Sequence, residues 1–561
     1  MLRGILIVLI LIAAGSPARS AEEAGTPRET LYNGIRLPYP WPPQHGEFIF
    51  DPQIPPYLIS QPAIIGIDTG RQLFVDDFLI ERSTLRRTFH AAEYHPANPV
   101  LRPDKEWEKS GNYPTAMPYV DGVYHDPRDN LFKMWYMAGY RGTTCYATSR
   151  DGVHWDKPIL DVKPGTNIVL GAHWDFSCAA LDLADADPKR RFKLFNLVNG
   201  YVFDVYCSAD GMHWGDPITR MTPGAHDGNQ FFYNPFRKMW LYSLRGNGIH
   251  TGRLKYYSEH PDLIAGASWK VEQPVKWIRA ADRIERLRTD MLGYKGRPGG
   301  FGQSDCPSIY GMGGVAYESV IVGLFSIMRG WTKYSAVHPE HTKACEIELG
   351  FTRDGFHWDR PAFKAFMPLS ENPQAWNYGK LNDIGGGFLV VGDKLFFYFS
   401  GRGVTTGCQT GIAVLRRDGF ASMNAGDKAG TLTTRPVMFK GKHLFVNADT
   451  REGELRVEVL DKDGKAIPSF TAEDCIAVKT DSTLQAVQWK GGGDLSALAG
   501  QAVKFRFHLT KRKLYAFWVS PDKSGASHGY VASGGPGFTG AMDTVGMAAL
   551  EAAEKLKAGK P

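Results

Sequence analysis

The amino-acid sequence predicts an all-β chain, a five-bladed β-propeller followed by a β-sandwich. Three observations predict it. First, one kind of turn recurs, as Ser149-Arg150-Asp151-Gly152-Val153-His154-Trp155, Ser208-Ala209-Asp210-Gly211-Met212-His213-Trp214 and Thr352-Arg353-Asp354-Gly355-Phe356-His357-Trp358, with a shortened copy at Arg417-Asp418-Gly419-Phe420. Asp caps its own backbone and Gly accepts positive φ, so each copy reads as a tight turn. Second, the Asp-Gly pairs stand 59, 144 and 64 residues apart, so the middle gap holds one further, degenerate unit. Aromatic strand signals near 132–137, 192–197, 239–243, 321–327 and 395–400 complete five units. Third, from Pro436 onward the runs at 443–447, 455–460, 503–507 and 514–519 alternate apolar and polar residues, the pattern of a half-buried antiparallel sheet. A unit of a few short strands cannot bury both its faces. Radial packing of such units does so and leaves only short edges.

The elements follow in order. Met1 to Ser20 carries Arg3, an apolar run from Ile5 to Ala14 and small residues before Ala21, the pattern of a cleaved secretory signal. Residues 21–70 form an irregular, proline-rich lead that wraps a surface. The strand signal from Arg71 to Glu81 opens the propeller, assigned to residues 71–428, and docks at its start or closes its ring. Residues 429–522 are the sandwich, with a turn at Asp461-Lys462-Asp463-Gly464. Residues 523–561 form a Gly- and Ser-rich tail, read as loose, with a short helix from Met547 to Ala558.

A net charge of +6 over 561 residues falls to +4 when the signal takes away Arg3 and Arg19 (6 − 2). No dense Lys/Arg stripe is present, so nucleic acid is not the expected partner. No run after the signal is long enough to span a membrane. The expected compartment is the periplasm or the medium. The seven cysteines lack the close paired spacing of metal sites and read as mostly buried thiols. Their odd number leaves at least one outside any intrachain disulfide. The Gly385-Gly386-Gly387 run lacks the lysine of a phosphate loop.

In a radial repeat the loops leading into the innermost strands converge on the axis. Those loops carry Glu108, Asp175, Asp227, Asp305 and Asp383, one per unit. Several carboxylates around one pocket can divide into acid, base or nucleophile, and pKa-tuning roles, the chemistry that breaks a glycosidic bond. Asp175 and Asp227 lead as catalytic candidates, with Asp305 and Glu108 behind them. His226, Asn229, Arg245, Arg288, Asp290, Glu318 and Asp383 are candidate substrate contacts, and Trp107, Trp174 and Trp376 are candidate stacking surfaces. Each acid also has a structural reading, as a cap on a turn. His154, His213 and His357 recur with the turn and read as structural, not as metal ligands. No organic cofactor is implied, while hard oxygen ligands converging on the axis would suit a structural calcium ion.

The strings Arg71 to Glu81, Pro99-Val100-Leu101 with Trp107-Glu108, Lys133-Met134-Trp135-Tyr136, Asp227 with Asn229 and Arg245, Arg288-Thr289-Asp290 and Tyr317-Glu318 resemble a group of exported bacterial proteins. That group is related to the N-terminal domain of glycoside hydrolase family 32. The region from Phe445 through Trp489 to Phe517 resembles their trailing module. The resemblance implies a five-bladed propeller backed by a sandwich, and exported carbohydrate metabolism. The Asn-Asp-Pro-Asn-Gly and Arg-Asp-Pro motifs of true family 32 enzymes are absent, so their catalytic roles are not carried over. The repeated turn also resembles the sialidase Asp-box, one residue short before its Gly. The expectation is an exported glycoside hydrolase acting on an oligo- or polysaccharide. A carbohydrate-binding or scaffold protein with the same funnel is the rival.

Overall fold

A computed structural model describes residues 28–44, 54–111, 113–171, 176–198, 202–221, 226–248, 252–267, 275–277, 308–328, 345–360, 364–370, 372, 374–378, 380–384, 387–403 and 405–557. Residues 1–20, read from the sequence as a secretory signal, lie outside them. The described chain is all-β, with few and short helices.

The repeated turn builds itself the same way three times. The Ser149 hydroxyl accepts the Gly152 N–H at 2.8 Å and donates to Asp151 Oδ1 at 3.0 Å. Asp151 Oδ1 accepts the N–H groups of Val153 and His154, both at 2.8 Å, and Oδ2 meets His154 Nδ1 at 2.7 Å. Ser208, Asp210 and His213 repeat this geometry, as do Thr352, Asp354 and His357. The histidines are therefore turn locks. Gly211 shows why the turn needs glycine: its φ is +80°, and a Cβ there would stand 2.4 Å from the Trp135 ring.

Each turn closes a set of antiparallel strands. The first set is Ala116–Asp126, Leu131–Ala138, Thr143–Ser149 and Ile168–Leu170. The second is Cys178–Leu181, Phe192–Val198, Val202–Ser208 and Thr219–Met221. The third is Gln230–Asn234, Met239–Gly248, Gly252–His260 and Val275–Lys276. The fourth runs through Ser308–Glu318, Val320–Met328 and Cys345–Thr352. The fifth is Lys380–Ile384, Lys394–Gly403 and Gly407–Arg416, completed by Glu93–Tyr94 from far upstream. The first strands lie side by side. Cys178 pairs in parallel with Val120, and Val120, Cys178, Phe231, Tyr310 and Cys345 share one buried cluster. Six cysteines are free thiols, five of them buried; Cys306 lies outside the described residues.

Two further sheets stand behind these sets. One contains His443–Asp449, Arg512–Ser520, Ala421–Ala425, Asp481–Ala486 and Arg86–Phe89. The other contains Glu454–Leu460, Lys504–Thr510, Gly430–Thr434 and Ile80–Ser83. Leu444, Val446 and Phe517 of the first share one core with Val457, Phe505 and Phe507 of the second. Each such side chain, fully buried, contributes about 1.5–3 kcal/mol. Leu31, Ile35, Leu37 and Tyr57 of the lead add to the same core.

Two expectations are corrected. The stretch from Arg71 to Glu81 neither opens nor closes the repeat: Gln72–Leu73 pairs with Phe517 and Ala516, and Ile80–Ser83 pairs with Gly430–Thr434. The strand that joins the last repeat is Glu93–Tyr94. The tail is not loose. Tyr530–Val531 pairs with Tyr317 and Glu318, and Ala549 and Ala553 of the helix Met547–Lys557 are buried in two of the cores.

A buried ion cluster ties these parts together. The Arg71 guanidinium reaches Asp418 at 2.9 Å, and the Arg71 backbone N–H donates to Glu318 at 3.0 Å. Arg417 reaches Glu318 at 3.3 Å and Asp543 at 3.1 Å. The Tyr317 hydroxyl and the Asn447 amide donate to Asp418 at 2.6 and 2.8 Å. The stretch that begins at Arg71, the fourth and fifth sets, the rear sheets and the tail thus meet in one network.

Candidate functional site

The candidate site is built on the third set. Its second and third strands form a hairpin whose register places Arg245 opposite Lys255 and Asn247 opposite Arg253. Side chains two apart on a strand share a face, so Arg245, Lys255 and Arg253 emerge together. Like charges directly opposite repel. The turn His226-Asp227-Gly228-Asn229, just before Gln230, relieves them. Asp227 ion-pairs with Arg245 in close contact and lies 3.5 Å from Arg253. Lys255 donates to the carbonyls of Gly228 and Tyr310, the latter at 3.3 Å. Arg253 stacks over the Tyr310 ring at 4.6 Å, which joins the third set to the fourth.

The turn is locked from below. Buried Asn229 accepts the Arg245 N–H on Oδ1 at 2.6 Å. Gly228 has φ +89°, and a Cβ there would stand 2.6 Å from the Tyr310 carbonyl oxygen, so no other residue brings the turn this close to the next set. The Asp227 carboxylate remains a quarter exposed. Burial, reinforced by Arg245 and Arg253, pushes the neighbouring His226 imidazole below its ordinary pKa, so His226 is neutral at pH 7. The arrangement offers a solvent-reachable carboxylate held by two guanidinium groups beside a neutral imidazole.

Other candidates are placed elsewhere. Glu108 is fully buried. Its carboxylate accepts the N–H groups of Asp104 and Lys105 at 2.7 and 2.9 Å, the Tyr136 hydroxyl at 2.7 Å, and Lys157 at 2.7 Å. It caps the one-turn helix Glu106–Lys109 and is spent on structure, not on the funnel. Glu318 is likewise fully buried in the ion cluster, with Ser527 donating to it at 2.7 Å, and is not a substrate contact. Trp107 donates to Asn167 at 3.1 Å and packs against a core. Half-buried Trp376 stacks on Phe399 at 5.5 Å, over Gly401 and Gly411, whose missing side chains make room for its ring. Asp383 falls at an irregularity in the pairing of Lys380–Ile384, between Asn382 and Ile384. Its side chain lies outside the description, as do Asp175, Asp305, Arg288, Asp290 and Trp174.

Sequence reasoning missed Arg253, Lys255 and Tyr310. The signal was present: two cations at alternate positions of the strand Gly252–His260 must share a face and need an anion. It also missed Arg402, whose guanidinium lies 5.0 and 4.9 Å from the rings of Tyr113 and Tyr140. Among the described residues no group of three or more His, Cys, Asp and Glu side chains is placed to hold a metal ion. Among them, too, no helix is long and apolar enough to cross a membrane.

No protein-family model and no curated protein matches the chain. Several solved structures are similar to it. A thermostable family-43 glycoside hydrolase matches at 12% identity and a TM-score of 0.36, over 56% of this chain and 96% of that one. A glycosyl hydrolase from Bacteroides ovatus matches at 12% and 0.33, over 59% and 94%. An exo-beta-1,3-galactanase from Phanerochaete chrysosporium, solved with galactose, matches at 11% and 0.25, over 70% and 80%. At these identities and scores they assign this chain no reaction and no substrate.

Proposed function

We propose that the chain is an exported glycoside hydrolase, a five-bladed propeller braced by a β-sandwich, that cleaves a glycosidic bond at the N-terminal ends of its innermost strands. The observation that carries the reading is Asp227. It is a solvent-reachable carboxylate where a first strand begins, fixed by Arg245 and Arg253 beside a neutral His226. A fixed carboxylate beside a neutral proton donor or acceptor suits acid–base work on a sugar oxygen. Asp175 and Asp305, which lead into the neighbouring first strands, are the proposed partners. Five consecutive antiparallel strand sets, with the first strands of four of them sharing one core, support the propeller.

One observation favours a second reading, a carbohydrate-binding protein without turnover. Of the proposed catalytic acids that are described, Glu108 is committed to structure and Asp227 is already paired with two arginines. The test is a panel of labelled oligosaccharides and aryl glycosides incubated with the full chain and with Asp227→Asn, Asp175→Asn and Asp305→Asn. Hydrolysis requires products from the native chain and a loss of at least about a hundredfold in Asp227→Asn and one partner, the scale of an acid–base contribution. Saturable binding with no product, unchanged by these substitutions, would establish the binding reading instead.

A further inference from the structure

The edge of the rear sheets carries a cavity that the proposed reaction does not use. Ile80–Ser83 is the outermost strand of one rear sheet and Arg86–Phe89 of the other, so the chain crosses between the sheets at Thr84 and Leu85. A cavity of about 450 Å³ opens at this crossing, within the range of about 300–1,000 Å³ usual for small-molecule sites. Ile80, Leu85 and Met423 line it and belong to the core that the two sheets share. The charged part of the lining is Asp77, Glu81, Arg82, Arg87 and Arg435, and no aromatic ring takes part. Both carboxylates are already held: Arg87 meets Asp77 at 2.5 Å, and Lys504 meets Glu81 at 2.9 Å. Arg87 also donates to the carbonyls of Phe74 and Asp76, at 2.7 and 2.8 Å. Arg82 and Arg435 remain. Among the described residues neither guanidinium meets a carboxylate or donates a hydrogen bond. The Arg435 backbone is fixed by its N–H, which donates to the Leu79 carbonyl at 2.8 Å, just past a slip in the strand pairing between Thr433 and Thr434. Its Nε is buried and unmet, which leaves the two terminal nitrogens as its donors to a ligand.

We propose that this cavity is a binding site for an oxyanion, a sulfate, phosphate or carboxylate group held by Arg82 and Arg435. Such a group arrives as a free ion or as a substituent on a glycan, and the chemistry that recognises it is the same. A planar guanidinium presents paired N–H groups that match two oxygens of an oxyanion. With both acids of the lining already neutralised, two further guanidinium groups leave an excess of positive charge. The apolar floor lowers the local dielectric and strengthens the attraction of that charge for an anion. The other classes of ligand fit less well. A cation is repelled by the same excess. A neutral sugar finds no ring to stack on. An apolar ligand would take water from charged side chains and give them nothing in exchange.

The test is calorimetric titration of the full chain, at low and fixed ionic strength, with sodium sulfate, glucose 6-sulfate and glucose. One-to-one binding of both sulfates and none of glucose is expected. Glucose 6-sulfate binding about tenfold tighter than sulfate, or more, would identify a glycan substituent as the source of the oxyanion, and equal affinity would identify the free ion. Arg82→Leu and Arg435→Leu should each weaken sulfate binding at least about tenfold, the scale of one charge-assisted hydrogen bond. A crystal soaked in sodium selenate should place the selenium signal between Arg82 and Arg435. No binding of sulfate, binding unchanged in both variants, glucose bound as tightly as its sulfate, or selenium only elsewhere would overturn the proposal. If Arg435→Leu fails to fold, Arg82→Leu and the soak of the native chain decide it. None of these readouts involves glycoside turnover, so the result stands or falls independently of Asp227.

Discussion

Asp151, Asp210 and Asp354 occupy the same turn in three surroundings. Burial alone would raise the Asp151 carboxyl, but His154 and the backbone N–H groups of His154 and Val153 outweigh it and hold the pKa at about 2. Asp210 is held at about 2 in the same way by His213 and Met212. A carboxyl lowered from an unfolded value near 4 contributes stability that is complete above pH ~4 and is lost as pH falls towards 2. His154 and His213, raised by the same bonds, contribute the opposite limb: complete below the ordinary histidine value and lost as pH rises through the raised one. An Asp151→Asn/Asp210→Asn double variant should therefore lose less stability than the native chain between pH 4 and 2. Denaturant titrations across that range check it. Asp354 is buried where the other two are half exposed. Asp354→Ala strands the N–H groups of Phe356 and His357 in the core, at about 1–3 kcal/mol each. Asp151→Ala should cost about 1 kcal/mol, because water replaces the lost acceptor. Equal losses would show that burial does not set the difference.

At the scale of the element, the strands and turns were legible because their signals are local. The middle strands expected near 132–137, 192–197, 239–243, 321–327 and 395–400 fall within Leu131–Ala138, Phe192–Val198, Met239–Gly248, Val320–Met328 and Lys394–Gly403. The tail was not legible. Its Gly- and Ser-rich composition has no periodicity, and its order comes from partners far upstream: Tyr317 and Glu318 for its strand, Arg417 for Asp543. Asp543 is fully buried, so Asp543→Ala leaves Arg417 partly uncompensated and should cost about 3–5 kcal/mol. Adding Arg417→Met removes the stranded charge and should recover part of that loss. A double variant less stable than the single one in thermal denaturation would show that Arg417 is held mainly by Glu318.

At the scale of the whole molecule, the chain is laced rather than strung. Residues 72–89 supply three strands to the rear sheets before Glu93–Tyr94 completes the fifth set, and Tyr530–Val531 returns to the fourth. Arg71 sits where these paths cross, over the Trp518 ring at 4.1 Å and against Asp418. The repeat and the rear sheets should therefore unfold in one calorimetric transition. Arg71→Met, which cuts the shared network while keeping the side chain's apolar bulk, should separate it into two. Two resolved transitions in the native chain would show that the lacing does not couple them.

The sequence by itself determined the repeated turns and the strands between them, since an Asp-Gly pair and a run of alternating residues act over a handful of positions. It also marked Asp227, just before the strand Gln230–Asn234, as a candidate acid. Which acids remain open to solvent was decided only by the tertiary structure. Glu108 is taken by Lys157, 49 residues on, and Glu318 by Arg71 and Arg417, 247 and 99 residues away, whereas Asp227 keeps an exposed edge between two arginines. A carboxylate's role depends on the charges and the water around it, and those are brought to it by parts of the chain that no local pattern connects.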